Sequence, residues 1–148
     1  MFDVLMKYLS QKIENVYLIR LFRGEDIIES IQKFCENNSN IGAGMIKGIG
    51  AVSVAKLGFF DGEKYKENIF SENLELVSLL GNIAQNQIIH IHGIFGRADG
   101  SCVGGHIFPG CTVSVTCEIQ IIVLKPSVSR KEDPQTKLNL LDLPIEIT

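Results

Sequence analysis

The 148-residue sequence has no C-x-x-C pair among its four cysteines, no surplus of basic residues, no long uncharged apolar run, and no repeat or low-complexity tract. Each absence closes a class of function. Cys35, Cys102, Cys111 and Cys117 are too scattered for a disulfide scaffold in a chain of this size, so reduced thiols in a cytosolic protein are expected. Lys and Arg number 14 against 17 Asp and Glu, a net charge of −3. A dedicated nucleic-acid binder draws most of its affinity from a basic surplus, which is missing here. The basic pair Arg130-Lys131 is followed at once by Glu132 and Asp133, which cancel it. The stretch Met1 to Lys12 interleaves Asp3 and Lys7 with short apolar pieces. Neither a signal peptide nor a membrane helix is expected there, and the protein is placed in the cytoplasm.

What is present is ordinary for a folded protein, with 45% hydrophobic and 21% charged residues. The length suits a single domain over 1–148, with a core of about 16–125 and a tail, 126–148, that packs back onto the domain or onto a neighbouring subunit. Val16 to Phe22 is β-branched and aromatic and reads as a strand buried on both faces. Ile27, Ile28, Ile31, Phe34 and Cys35 recur at helical spacing, with Glu25 and Asp26 at the start and Asn37-Asn38 at the end, which predicts an amphipathic helix of about three turns. The glycine-rich run Ile41 to Gly50 matches no phosphate-binding loop pattern and reads as a turn between helix and sheet.

Further strands are expected over Val52 to Phe60, Leu74 to Leu80, Ile88 to Phe95 and Thr112 to Leu124, with a hairpin turn at Asp61-Gly62. In the last of these strands Val113, Val115, Cys117, Ile119, Ile121 and Val123 share one face, the expected core face, and Thr112, Ser114, Thr116, Glu118 and Gln120 share the other.

Chemistry concentrates in one place. The three histidines of the chain, His90, His92 and His106, all fall within Ile88 to Ile107. His90 and His92 are two apart on a strand and point to one face. Ala98-Asp99-Gly100 reads as a three-residue hairpin loop, which sets Arg97 against Ser101 and therefore His92 against His106. Directly opposed Cβ atoms lie about 4.5–5.5 Å apart, a separation from which imidazoles reach one ion at about 2.0–2.1 Å. A divalent metal, zinc above all, is the expected ligand, with an open fourth position. Gly93, Gly96, Gly104 and Gly105 are expected to thin the wall around it. Glu118, an isolated carboxylate, is a candidate outer partner or base, and a solvated surface residue on the other reading. Cys102, opposite Gly96, is a weaker ligand candidate, and Cys111 and Cys117 read as small core hydrophobes. With every histidine committed to the metal, no Ser-His-Asp or Cys-His arrangement remains.

The runs LELVSLLGNIA (Leu74 to Ala84), HIHGIFGRADGSCVGGHIFPG (His90 to Gly110) and TVSVTCEIQI (Thr112 to Ile121) resemble the plants-and-prokaryotes conserved (PPC) domain. The likeness runs from about Val16 to Leu141 and is most specific at H-x-H followed by G-G-H, typical of stand-alone prokaryotic members. The resemblance implies an α/β (α+β) fold with a largely antiparallel, barrel-like sheet and a packed helix, assembled as a homotrimer. It also implies that His90, His92 and His106 match the histidines that hold zinc in some prokaryotic members. Members are commonly labelled predicted DNA-binding proteins, after plant relatives that carry AT-hooks. This chain has no R-G-R-P core and an acidic balance. The H-x-H also invites comparison with cupins, but Gly93 to Arg97 supplies no glutamate where that pattern needs one.

Two functions follow. One is a non-enzymatic, trimeric zinc-binding module with a regulatory or DNA-associated role. The other is a zinc-dependent hydrolase or lyase acting on a small molecule through metal-bound water.

Overall fold

The computed structural model describes residues 7–144, so the interpretation of Met1 to Lys12 lies partly, and that of Ile145 wholly, outside the described residues. The chain runs β1 (Lys12–Phe22), α1 (Ile27–Asn37), β2 (Gly44–Phe60), β3 (Tyr65–Phe70), β4 (Leu74–Ala84), a short 3₁₀ turn (Gln85–Gln87), β5 (Ile88–Gly96), β6 (Cys102–Ile107), β7 (Thr112–Lys125), β8 (Ser129–Glu132) and β9 (Asn139–Asp142). Every strand pairing is antiparallel, and the main sheet has the order β1-β7-β2-β4-β5-β6 with β3 attached to β2.

β2 is the organiser. Its first half holds β4 on one edge and β7 on the other, with Gly44 facing both Ile83 and Val123. Its second half takes β3 next to β4, and β6 next to β7, through Leu57↔Ile107 and Gly58↔His106. The run β4-β5-β6 therefore leaves one edge of β2 and returns to the other, closing the sheet into the expected barrel. Phe95, Leu57, Leu76, Leu79, Ile91 and Ile119 fill its interior, each 2% exposed or less.

α1 covers this core as its spacing predicts. Ile27, Ile31 and Cys35, one turn apart, are buried, and Phe34 meets Tyr17 of β1 edge to face at 5.1 Å. Asp26 caps the helix by accepting from the Glu29 N–H at 2.9 Å, while its second oxygen accepts from the Gly110 N–H at 2.6 Å. One residue thus starts the helix and ties it to the turn before β7.

Three expectations need correction, and one strand was not expected. The Ile41 to Gly50 run is not a turn, because β2 already begins at Gly44. Its glycines serve close strand approach: a Cβ at Gly44 or Gly48 would meet the Ile122 or Glu118 carbonyl of β7 at 2.9 and 2.8 Å. β1 is buried on one face only, leaving Val16 53% and Leu18 75% exposed, because it is an edge strand with nothing laid over its outer side. Val115 is 69% exposed rather than core. Between the pairs Gly50↔Cys117 and Val52↔Val113, β2 spends one residue and β7 spends three, and this bulge turns Val115 outward. β3 (YKENIF) is a strand that alternation does not announce, formed by pairing with Ala55 to Phe60 across the Asp61–Lys64 loop.

Val128 joins Ala43 and Ala84 in a small second cluster, and its backbone bonds to Gly42 and Gln85. β8 and β9 then form a hairpin that lies against β4 and β5, with Arg130 donating to the Asn82 side chain at 2.5 Å.

Candidate metal centre

The β5–β6 hairpin has the expected register. Arg97 N–H donates to the Ser101 carbonyl at 2.8 Å, Gly100 takes φ +84°, and Asp99 accepts from the Ser101 N–H and hydroxyl at 2.9 and 2.7 Å. His92 consequently stands opposite His106. On β4, Asn82 faces His90 and Leu80 faces His92.

The three imidazoles converge on the outer side of the barrel. Ring centroids lie 4.9 Å (His90–His92), 5.1 Å (His90–His106) and 5.5 Å (His92–His106) apart. The Nε2 atoms of His90 and His92 are 3.1 Å apart, and one nitrogen from each ring lies within 4.8 Å of the others. A tetrahedral ion with bonds of about 2.0–2.1 Å asks for nitrogens roughly 3.4 Å apart, so small rotations bring this set to ligand spacing. Protonation points the same way. Burial, then His90 and His92, push His106 down to about 4, and His90 is lowered by burial first, then by His92 and Arg130. Neutral imidazoles present free lone pairs at neutral pH, as a metal requires. The buried Nδ1 of His106 has no hydrogen-bond partner among the described residues, a polar atom that a ligand would satisfy. The donor set therefore fits a metal ion that accepts imidazole.

His106 is held from behind. Tyr65 and Phe108 lie 5.1 and 4.8 Å from its ring. They reach it because Gly58, its ladder partner, has no side chain: a Cβ there would stand 2.9 Å from Tyr65 Cδ1 and 3.1 Å from Phe108 Cζ. The glycines expected to open the wall do other work. Gly93 faces the core, where a Cβ would strike Ile107 Cδ1 at 2.7 Å, and a Cβ on Gly104 or Gly105 would press on the backbone of Gly93 or Gly58.

Other candidates lie away from the histidines. Cys102 is exposed at the hairpin end opposite Gly96, and Cys111 and Cys117 are buried thiols raised by burial to about 11 and 12. Glu118 is exposed on β7 with β2 and β4 between it and β5, roughly 14 Å at about 4.8 Å per strand. The histidines are the one group of three or more His, Cys, Asp or Glu residues among the described residues that could hold a metal.

A cleft of about 410 Å³ opens beside the histidines, lined by His90, His106, Tyr65, Asn82 and Arg130 together with Ile88, Ile89 and the leucines of the β8–β9 hairpin. Arg130 is missed by reasoning from composition, which cancels it against Glu132 and Asp133. In the fold, Glu132 pairs with Lys137 at 3.9 Å and Asp133 accepts from Thr136 at 2.8 Å, so neither reaches Arg130. Tyr65 and Phe108 gave no signal beyond being aromatic, since only the pairing of β2 with β3 and β6 brings them to His106.

Known proteins share this fold. A metal-containing protein from Archaeoglobus fulgidus is 34% identical with a TM-score of 0.83, the match covering 92% of this chain and 99% of that one. A plant- and prokaryote-conserved (PPC) protein from Pyrococcus horikoshii is 28% identical at TM-score 0.80, over 97% and 99% of the two chains. A proposed DNA-binding protein from Bacteroides thetaiotaomicron is 29% identical at 0.81, over 90% and 96%. Among curated sequences, the bifunctional protein GlmU of Synechococcus sp. (strain JA-3-3Ab) is 31% identical over 133 residues, and the chain spans 21% of that protein's length. The sequence profile of the Plants and Prokaryotes Conserved (PCC) domain matches residues 8–125, and the chain belongs to that family.

Proposed function

We propose that this chain is the subunit of a cytoplasmic homotrimer that binds one zinc ion per protomer through His90, His92 and His106 and serves as a DNA-associated or regulatory binding module. The observation that carries the reading is the convergence of three imidazoles within reach of one ion. Zinc is the natural occupant of a compact nitrogen site with four-coordinate geometry, and the Archaeoglobus fulgidus relative is itself described as metal-containing.

An oligomer is supported by the outer face of the sheet. Leu18, Ile49, Val77, Leu80 and Val115 are each more than half exposed and border two adjoining hollows. An apolar patch of that kind calls for a protein partner, and the number three comes from the family resemblance. Glu118 borders the same hollows, so in an assembly it would belong to the subunit contact. The DNA-associated role is carried over from the Bacteroides thetaiotaomicron relative, and the net charge of −3 lends it no electrostatic support. No helix among the described residues is long and apolar enough to cross a membrane.

Metal content of the purified protein, compared with His92→Ala and combined with mass in solution, tests the reading. Stoichiometric zinc lost in the variant, on a trimer, is the expected result, and equal metal in both removes the site. Duplex DNA titrated at two salt concentrations tests the nucleic-acid role, which ends if nothing binds at low salt.

A second reading, a metal-dependent hydrolase or lyase for a small molecule, is favoured by the cleft that opens directly onto His90 and His106. There the metal would supply Lewis acidity, and the protein would supply orientation and shelter from water.

A further inference from the structure

We propose that the cleft between the histidines and the β8–β9 hairpin binds a small aliphatic carboxylate, its headgroup on Arg130 and its apolar end against Leu138, Leu140 and Leu141. The inference deepens the metal reading, since the headgroup would sit beside the ion, but it stands on observations of its own.

The first is an uncompensated cation. Arg130 is half-buried between β8 and β4, spending one N–H on the Asn82 side chain at 2.5 Å and one on the Asn139 carbonyl at 2.7 Å. Its Nε is buried with no partner, and no carboxylate pairs with the group among the described residues. A guanidinium carries five N–H donors in a fork that matches a carboxylate. Withdrawing such a charge from water without a counter-ion is costly, and an anionic ligand removes that cost. The second observation is the rest of the wall. Beside the guanidinium the cleft is lined by Ile88 and by the three leucines of the same hairpin, Leu141 being the ladder partner of Arg130, and Leu140 and Leu141 are 45% and 36% exposed. The third is position. Arg130 and His90 line the same cleft and meet through Asn82, which faces His90 on the ladder and accepts from Arg130. One headgroup could touch the guanidinium and the ion together. A single fork with apolar surroundings suits a monoanionic carboxylate better than a phosphate, which asks for more donors.

The competing explanation is that Arg130 only fastens the tail to β4. Calorimetric titration of the full chain with 4-methylpentanoate and with 4-methylpentan-1-ol separates the two, using wild type, Arg130→Gln and Arg130→Lys, each zinc-loaded and chelator-stripped. The acid is expected to bind wild type at least about tenfold more tightly than the alcohol, as a charge-assisted pair implies. That ratio should fall towards unity in Arg130→Gln and partly return in Arg130→Lys, with the zinc stoichiometry of the loaded forms the same in all three proteins. Equal binding of acid and alcohol, no acid binding at millimolar concentration, or a preference that survives Arg130→Gln would overturn the proposal. Should Arg130→Gln not fold, the acid-to-alcohol ratio of wild type still decides. A wild type that holds no zinc defeats the metal reading alone, because the acid preference of the stripped protein depends only on Arg130.

Discussion

Replacing Gly58 by alanine perturbs the metal centre without touching a ligand. The added methyl would stand 2.9 Å from Tyr65 Cδ1 and 3.1 Å from Phe108 Cζ, and nearer still to Phe108 Cε2. Carbon atoms pack comfortably at about 3.5–4.0 Å, so Tyr65 must recede by roughly 0.6 Å or more and Phe108, limited by Cε2, by roughly 1.2 Å or more. Tyr65 and Phe108 are half-buried and free to swing outward, which puts the cost at the low end of the overpacking range, about 1 kcal/mol. For a domain of this size that is a fall of about 2–4 °C in Tm. The effect on the metal should be larger. Both rings lie against His106, at 5.1 and 4.8 Å, and Gly58 faces it across the ladder, so the imidazole moves with them. Disturbing the groups that orient a ligand typically lowers metal affinity by about 10–100-fold. Competition for zinc against a chromophoric chelator, run beside differential scanning calorimetry, measures both quantities. A variant with the lowered Tm and unchanged zinc affinity would refute the idea that these rings set the position of His106.

Three further outcomes are expected. His106, held at about 4 against an ordinary 6.5, keeps the folded metal-free protein from taking up a proton that the unfolded chain accepts. Stability is therefore fully present above pH 6.5 and declines as pH falls towards 4, by about 1–2 kcal/mol once partial exposure is allowed for. Urea midpoints at pH 8, 6.5 and 4.5 report it, and a flat profile would contradict it. Cys35, Cys111 and Cys117 are buried, with thiols raised to about 11, 11 and 12, whereas Cys102 is exposed; a thiol reagent should modify one cysteine in the native protein and four in denaturant, as counted by mass. Leu18→Asp places a charge on a side chain that is 75% exposed in the single subunit; it should leave Tm of the protomer nearly unchanged while lowering the mass in solution, and an unaltered mass would remove Leu18 from the subunit contact.

The histidine cluster was legible because two short-range rules sufficed: period-two alternation places His90 and His92 together, and a three-residue loop with glycine in the left-handed position fixes what faces them. The helix was equally plain, from its apolar spacing and the Asp26 cap. What escaped depends on partners distant in sequence. Gly44 and Gly48 resemble a turn until β7 presses its carbonyls against them. Val115 keeps perfect alternation, yet a bulge opposite Ala51 reverses it, and nothing local encodes that bulge. β3 is too polar to register as a strand, and composition sets Arg130 against neighbours that, on an extended strand and its turn, find other partners.

β2 also governs the order in which the molecule can be made. Its first half cannot be flanked on both edges until β7 exists, and the residues that meet there, such as Gly44 and Val123, are roughly 80 positions apart in the chain. During synthesis the strand must wait with one hydrogen-bonding edge open, exposed to any other extended segment nearby. Folding should therefore be late and slow, on the millisecond-to-second scale of non-local β topologies, and the interval before β7 emerges is when this protein is most exposed to aggregation.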